Sequence, residues 1–372
     1  MNTKPSRPTY QFTNKSLYLD YPLLSMLLLL AGFGLIILYS ASNQDMGMIL
    51  RQSSRLLFAF SVLFVLSFIP PHQYQLWTPS VYMLGLALLV AVIIMGKVGK
   101  GAQRWLDLSL FRFQPSEIMK LAVPMMTAWY VDRRPISQDP LALTIAAAII
   151  FIPSLLIAKQ PDLGTALMVM ASGVCVIFLA GISTRIILFL FAMTAAITPL
   201  LWHMLHSYQK HRILTLLNPE RDPLGTGYHI IQSKIAIGSG GAFGKGLLEG
   251  TQSHLSFLPE HATDFIFAVS SEEFGFAGGF CLISLLFLIS WRSLSISKKA
   301  QTEFTRLLAA GLAMIFFLSA FVNIGMVTGL LPVVGIPLPL ISYGGTAMVT
   351  LLASFGILMS ISTHHILFNT IK

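Results

Sequence analysis

Long apolar runs separated by short polar breaks set the pattern of this chain. Tyr21 to Ser40, Leu141 to Ala158 and Thr184 to Trp202 are almost free of charge, and runs of about 20 such residues cross ~30 Å of hydrocarbon at ~1.5 Å per residue. Reading the runs with their breaks predicts helices over 20–40, 54–70, 78–96, 115–131, 141–158, 162–181, 184–202, 264–290, 305–328 and 340–362. The expected fold class is an all-α polytopic integral membrane protein with about ten transmembrane helices. One domain is expected over 1–372, with a single long loop at about 203–263. An even number of spans puts both termini on one side and that loop on the other. Within the loop, Tyr228 to Ile237 alternates apolar and polar residues at near-helical spacing, which predicts a short amphipathic helix at the interface.

Composition agrees: 55% of the residues are hydrophobic and 10% charged, against roughly 25% charged in a soluble domain. Cys175 and Cys281 both lie inside apolar runs, which excludes a disulfide framework or a cysteine metal cluster. The first run follows Lys4, Arg7 and Lys15 and mimics a secretion signal, but it is longer than an h-region and lacks an A-x-A site. It is expected to be an uncleaved first helix. The net charge of +9 is scattered between spans, so nucleic acid is not an expected partner.

Charge changes the picture when it is sorted by side. Short connectors such as DRR and SISKK lie on the side of the termini, which the positive-inside rule makes cytoplasmic. Yet Arg51, Arg55, Lys97, Lys100, Arg104, Arg112, Lys120 and Lys159 sit in or beside short outer segments, against the usual bias. Either a large anionic ligand binds that face, or these cations pair with the acids that also gather there.

Four stretches carry candidate chemistry, because an ionisable residue at the centre of a span costs ~2.5–3.5 kcal/mol on insertion scales. In Gly99 to Lys120, a short glycine-rich segment with Arg104 and Arg112 leads into a helix at Pro115, and proline suits a first turn. Glu117 and Lys120 are three apart and share a face; they form either a structural ion pair or part of a polar site. In KQPDLGTA, Asp162 is placed to cap the next helix; it either only caps, or also holds neighbouring basic residues or a metal. In the long loop, glycines at 238, 240, 241, 244, 246 and 250 would let backbone amides approach a phosphate. Lys245 is followed by Gly246, so no P-loop is present, and no dinucleotide fingerprint survives; no nucleotide cofactor is expected.

Asp264 ends that loop and opens a helix where outer water meets the membrane. Partial desolvation there would raise its pKa toward the working pH, which suits a general base; the alternative is a carboxylate that only caps the helix. Glu272 and Glu273 lie about 12–14 Å further along, facing a polar interior, with Gly275 and Gly279 spaced as GxxxG for close helix packing. The fourth stretch, Asn323 to Met348, breaks apolar sequence between two helices with three prolines and the glycines Gly329, Gly335, Gly344 and Gly345. Irregular backbone at membrane depth survives only against protein or a wet cavity, so this stretch should wall the site.

The motifs FQPSEIMKL, KQPDLGTAL, NPERDPLGTGYHIIQSKIAIGSGG, FLPE followed by TDFIFAV, and NIGMVTGLLPVVGIPLPLISYGG resemble the SEDS (shape, elongation, division, sporulation) family over most of the chain. NPERDPLG and IIQSKIAIGSGG resemble its elongation branch more than its division branch. The resemblance implies a peptidoglycan glycosyltransferase of ten helices that polymerises lipid II on the outer face of the bacterial cytoplasmic membrane. It also implies a class B penicillin-binding protein as partner, with other elongation-complex membrane proteins. By the same resemblance, the aspartate of TDFIFAV, Asp264, is essential. The family usually has His immediately before Thr-Asp; here Ala262 stands before Thr263, and a histidine comes one earlier, at His261.

The expected reaction joins a sugar hydroxyl of lipid II to the anomeric carbon of the growing lipid-linked glycan, displacing undecaprenyl pyrophosphate with inversion. Asp264 is the expected base, and Arg51, Arg104, Lys120 and Lys245 are the expected pyrophosphate ligands. Glu117, Asp162 and Thr263 support the polar site. A divalent cation, magnesium or manganese, is a candidate helper, with Glu117 and Asp162 as its candidate ligands. Two other classes are carried forward: a lipid II flippase, which would share the wet cavity and intramembrane charges, and a non-catalytic scaffold for a penicillin-binding protein.

Overall fold

The computed structural model describes residues 19–99, 102–107, 112–134, 136, 139–182, 188, 196, 203, 210, 214–216, 218–222, 225–254 and 260–364. Its helices are α1 (Tyr21–Ala41), α2 (Met46–Phe68), α3 (Pro71–Met95), α4 (Pro115–Arg133), α5 (Pro140–Lys159), α6 (Leu163–Leu179), α7 (Thr226–Ser239), the single turn α8 (Thr251–His254), α9 (Ile266–Lys299), α10 (Glu303–Val327) and α11 (Thr346–Thr363). Seven of these, α1, α2, α3, α5, α9, α10 and α11, are long and apolar enough to span a membrane. The protein is a membrane-embedded helical bundle. The helix expected over 184–202 lies outside the described residues, as do Lys4, Arg7 and Lys15.

Local signals fix where helices begin. Asp20, Asp45, Asp139 and Asp162 each accept a backbone amide as N-caps, and proline occupies the first turn of α1, α3, α4 and α5. Two expected starts were too late. Helix α2 begins at Met46 rather than 54, and α3 at Pro71 rather than 78, because hydropathy ends a run at polar residues whereas a capped backbone continues through them. The extra turns of α2 carry Arg51 and Gln52. At the other extreme, α11 starts at Thr346 rather than 340. The segment expected to be merely glycine-rich forms a small antiparallel meander of β1 (Lys97–Gly99), β2 (Ala102–Asp107) and β3 (Arg112–Phe113).

Helix packing uses small residues, as expected where lipid removes the hydrophobic drive between helices. A Cβ on Gly356 of α11 would lie 2.7 Å from the Leu63 carbonyl oxygen of α2, and one on Gly85 of α3 would lie 2.3 Å from Met119 Sδ of α4. Helices α10 and α11 are mostly buried, whereas α2 and α3 turn most of their surface outward; Phe316 and Phe355 meet edge to face between the former pair.

The bundle has two distinct ends. At one, Asp20 at the start of α1 accepts from Arg292 of α9 at 2.7 Å and from Ser362 of α11 at 3.3 Å. Ser360 Oγ donates to Ile69 there, and Arg306 reaches the Leu179 carbonyl. This is the termini end. The opposite end holds the meander, α7, the start of α9 and the irregular loop 328–345.

Helix α9 is broken. Gly275 has φ 64° and ψ −163°, outside the helical region. The glycine-rich segment after α7 fills the break: Lys245 and Gly246 amides donate to the Glu272 and Glu273 carbonyls, and Phe276 and Ala277 amides donate to Gly241 and Ala242. A Cβ on Gly244, at φ +83°, would lie 2.0 Å from the Glu273 oxygen. Gly240 and Gly244 therefore make close approaches to the backbone of α9, at Ser271 and Glu273, where a phosphate-binding role was expected of them. Gly275 likewise serves the break rather than a GxxxG helix contact.

Candidate active site at the loop end

Asp264 sits in a tight turn over 260–265, two residues before α9 begins. Its neighbourhood is stitched to the loop after α10. Asn323, fully buried on α10, donates from Nδ2 to the Asp264 carbonyl at 2.9 Å and to the Ile336 carbonyl at 2.7 Å. Ser342 Oγ donates to the Thr263 carbonyl at 2.6 Å and accepts from the Leu338 amide at 2.8 Å. The Tyr343 amide donates to the Ala262 carbonyl at 2.9 Å. Since that contact uses backbone alone, any residue at 262 can supply it, and the missing histidine leaves the clamp intact. Gly335, at φ +82°, faces the aspartate: a Cβ there would lie 3.4 Å from Asp264 Oδ2.

Two residues that the sequence reading left without a role in the site belong to this assembly. Gln52 of α2, 1% exposed, donates to the Ser342 carbonyl at 3.2 Å. One turn on, the Arg55 guanidinium lies 4.7 Å from the centre of the Tyr343 ring, a cation–π contact, beside Gly345. The early start of α2 puts Gln52 on the same helix as Arg55. His229 of α7 stacks on Phe265, with ring centres 5.6 Å apart, and its buried Nδ1 has no hydrogen-bond partner. Burial holds this imidazole below its ordinary pKa, against the opposing pull of Glu260 and Asp222. The signal available in the sequence was only its place in the GYHIIQSK motif.

The expected pyrophosphate ligands are dispersed. Arg51 is exposed and lies 3.7 Å from Asp45. Arg104 donates to the Gln160 and Pro161 carbonyls and lies 3.8 Å from Asp162, tying the meander to the α5–α6 turn. Lys245 binds buried Glu272 at 2.6 Å, together with Thr251, at the break in α9. Lys120 pairs with Glu117 at 2.7 Å. Of the four, Lys120 lines the cleft under the loop, with Glu117, Ile336 to Leu340, Ser342 and Gly344. The irregular stretch expected to wall the site thus lines a cleft.

Among the supporting residues, Thr263 donates from Oγ1 to Glu260 Oε2 at 2.7 Å. Asp162 caps α6 through the Thr165 amide and also accepts from Gln114 at 3.0 Å. These residues do not by themselves form a closed protein cage for a metal. Among the described residues no three His, Cys, Asp or Glu side chains converge, and Glu117 and Asp162 each already face a cation. Of these two carboxylates, Glu117 alone leaves a buried oxygen, Oε2, without a hydrogen-bond partner.

The model of the FtsW/RodA/SpoVE family of cell cycle proteins matches residues 21–366. The chain belongs to that family. It is 50% identical over 365 residues to the peptidoglycan glycosyltransferase MrdB of Escherichia coli K12, covering 98% of each chain. A solved chain from a peptidoglycan synthase complex that coordinates polymerization and crosslinking superposes with a TM-score of 0.82, at 31% identity over 92% of this chain and 97% of that one. The crystal structure of Thermus thermophilus rod shape determining protein RodA superposes at 0.70, with 26% identity over 92% and 96%. Family membership accounts for the bundle and its loop end together, because both lie within the matched span.

Proposed function

We propose that this chain is a peptidoglycan glycosyltransferase that joins lipid II into glycan strands at the loop end, with Asp264 as general base. The observation that carries this reading is the setting of Asp264. Its turn is fixed through the Asp264 and Thr263 carbonyls by Asn323 and Ser342, against the loop 328–345 that lines the cleft. The name of the similar E. coli protein supports the same chemistry.

In the proposed step, Asp264 takes the proton of the acceptor sugar hydroxyl as its oxygen bonds to the anomeric carbon of the donor. The bond from that carbon to the diphosphate oxygen breaks, and undecaprenyl pyrophosphate leaves with inversion. Pyrophosphate leaves without prior protonation, so a second acid is not required. It needs positive charge instead. Arg55 supplies this better than Arg51 or Lys245, because its guanidinium rests on an aromatic ring in the loop and makes no ion pair among the described residues, while the other two face Asp45 and Glu272. Lys120 remains the cation inside the cleft. The loop end is assigned to the outer face of the bacterial cytoplasmic membrane and both termini to the cytoplasm, following the connectors rich in lysine and arginine. A class B penicillin-binding protein is the proposed partner, on the analogy of the synthase complex above.

A flippase would use a broken helix to hold its cargo, but the break in α9 is filled by amides and carbonyls of the glycine-rich segment. The test is polymerisation of labelled lipid II by the purified protein with its co-expressed partner, read on a gel for wild type and Asp264→Ala. Long strands from wild type alone support both the activity and its base. An intact, folded complex that makes no strands in either form, while moving lipid II across vesicles, overturns the reading in favour of transport.

A further inference from the structure

A second recess lies at the termini end, where the ends of α6 and α9 meet the start of α10. Leu179, Trp291, Leu294, Leu307 and Ala310 form its apolar wall, and Lys298 and Arg306 stand at its rim. Lys298 and Lys299 are exposed. Lys298 lies 5.9 Å from the Trp291 ring centre, and neither lysine makes an ion pair among the described residues. Arg306 is matched by Glu303, so Lys298 sets the sign of the rim, with exposed Lys299 next to it in the chain.

Trp291 is 59% exposed and continues an outward aromatic row on α9: it packs on Phe287, itself 57% exposed, with ring centres 6.2 Å apart. An exposed tryptophan ahead of unpaired lysines marks the depth at which hydrocarbon gives way to headgroups. Basic residues complement any helix C-terminus, but that does not account for an apolar recess beneath them.

We propose that this recess binds one anionic glycerophospholipid. Its phosphate faces Lys298 and Lys299, and an acyl chain lies along Trp291 and Phe287 into the recess. Charge complementarity selects the anionic headgroup, and the aromatic row selects a lipid over a soluble phosphate. Basic pockets between spans recognise such headgroups elsewhere. The inference rests on the placement of α9 in the bilayer and is independent of the reaction proposed at the loop end.

The test uses full-length protein in nanodiscs of phosphatidylcholine alone or mixed equally with phosphatidylglycerol. Lipid retained after detergent release is read by native mass spectrometry, with no lipid II present. Wild type should retain one phosphatidylglycerol in preference to phosphatidylcholine. Lys298→Gln and Lys299→Gln should each weaken retention about 5-fold, and the double variant about 25-fold. Arg133→Gln with Arg134→Gln, which removes two charges at the same end outside the recess, should leave it unchanged. Three results would overturn the proposal: no preference between the two lipids, an equal loss in the Arg133/Arg134 variant, or full competition by inorganic phosphate. All the substituted side chains are exposed, so folding is not at stake.

Discussion

The two ends of the bundle handle charge in opposite ways. At the termini end, Arg292 meets Asp20, Arg306 meets Glu303 and Gln75 meets Asp132, each between or within helices that these contacts tie together. The backbone there is helical almost to the last residue. At the loop end, the backbone between α10 and α11 is irregular, a cation rests on a ring instead of an acid, and the carbonyls around Asp264 are held by Asn323 and Ser342. Irregular backbone at this depth demands such partners. One end is built to hold helices together, the other to hold a carboxylate and a cleft in place.

That contrast can be broken first at Asp264. Asp264→Asn should lower polymerisation by about 100- to 10,000-fold, the usual loss of a general base, with no shift in melting temperature. A matching loss of stability would make it a structural residue like those at the termini end. Next, Lys245→Met leaves Glu272, which is fully buried, without its cation and held by Thr251 and the Gln252 amide. Loss of one partner of a buried pair costs about 3–5 kcal/mol, so thermal denaturation should show a large fall in stability. Were Lys245 instead a substrate ligand, activity would fall at unchanged stability.

A smaller effect is expected from Arg55→Lys. It keeps the charge but loses the planar guanidinium over Tyr343, and should raise KM or lower kcat by about 10-fold, with Arg55→Met about 100-fold. Arg51→Met, at an exposed pair, should change neither by more than a few-fold; equal effects at 51 and 55 would undo the distinction drawn between them. At the termini end, Arg292→Met should cost about 1 kcal/mol of stability, since the arginine is partly exposed, and leave the turnover of the folded fraction unchanged.

The smallest effect concerns pH. The His229 imidazole is held below its ordinary value of 6.5, so the unfolded chain binds the extra proton more readily than the native one. Its contribution to stability is therefore lost as pH falls below that value and restored as pH rises. Wild type should lose stability on acidification relative to His229→Gln, in melting curves taken on both sides of 6.5. Parallel curves would remove the imidazole from the account.

Much of this architecture was legible because crossing a bilayer is a local demand. Nearly every expected span over the described residues has its helix, and Asp162 caps α6 as its place in KQPD implied. Boundaries failed where polar residues continued a capped helix, and at α2 that error left out Gln52, which reaches the Ser342 carbonyl. The pyrophosphate ligands were harder to read, since a basic residue near the right depth gives no sign of which acid it will meet. Lys245 and Arg104 each meet an acid more than 20 residues away in the chain, Glu272 and Asp162.

The sequence alone determined that this is a helical membrane protein of the family to which it belongs. It also marked Asp264 as the carboxylate where water meets the bundle, because hydropathy, caps and motifs act over a few residues. Only the tertiary structure decided that the glycine-rich segment fills the break in α9, that Arg55 rather than Arg51 adjoins the loop, and that His229 lies against Phe265. Those outcomes depend on which distant groups meet in three dimensions, and a buried charge or an open backbone group is settled by whatever partner the fold brings to it.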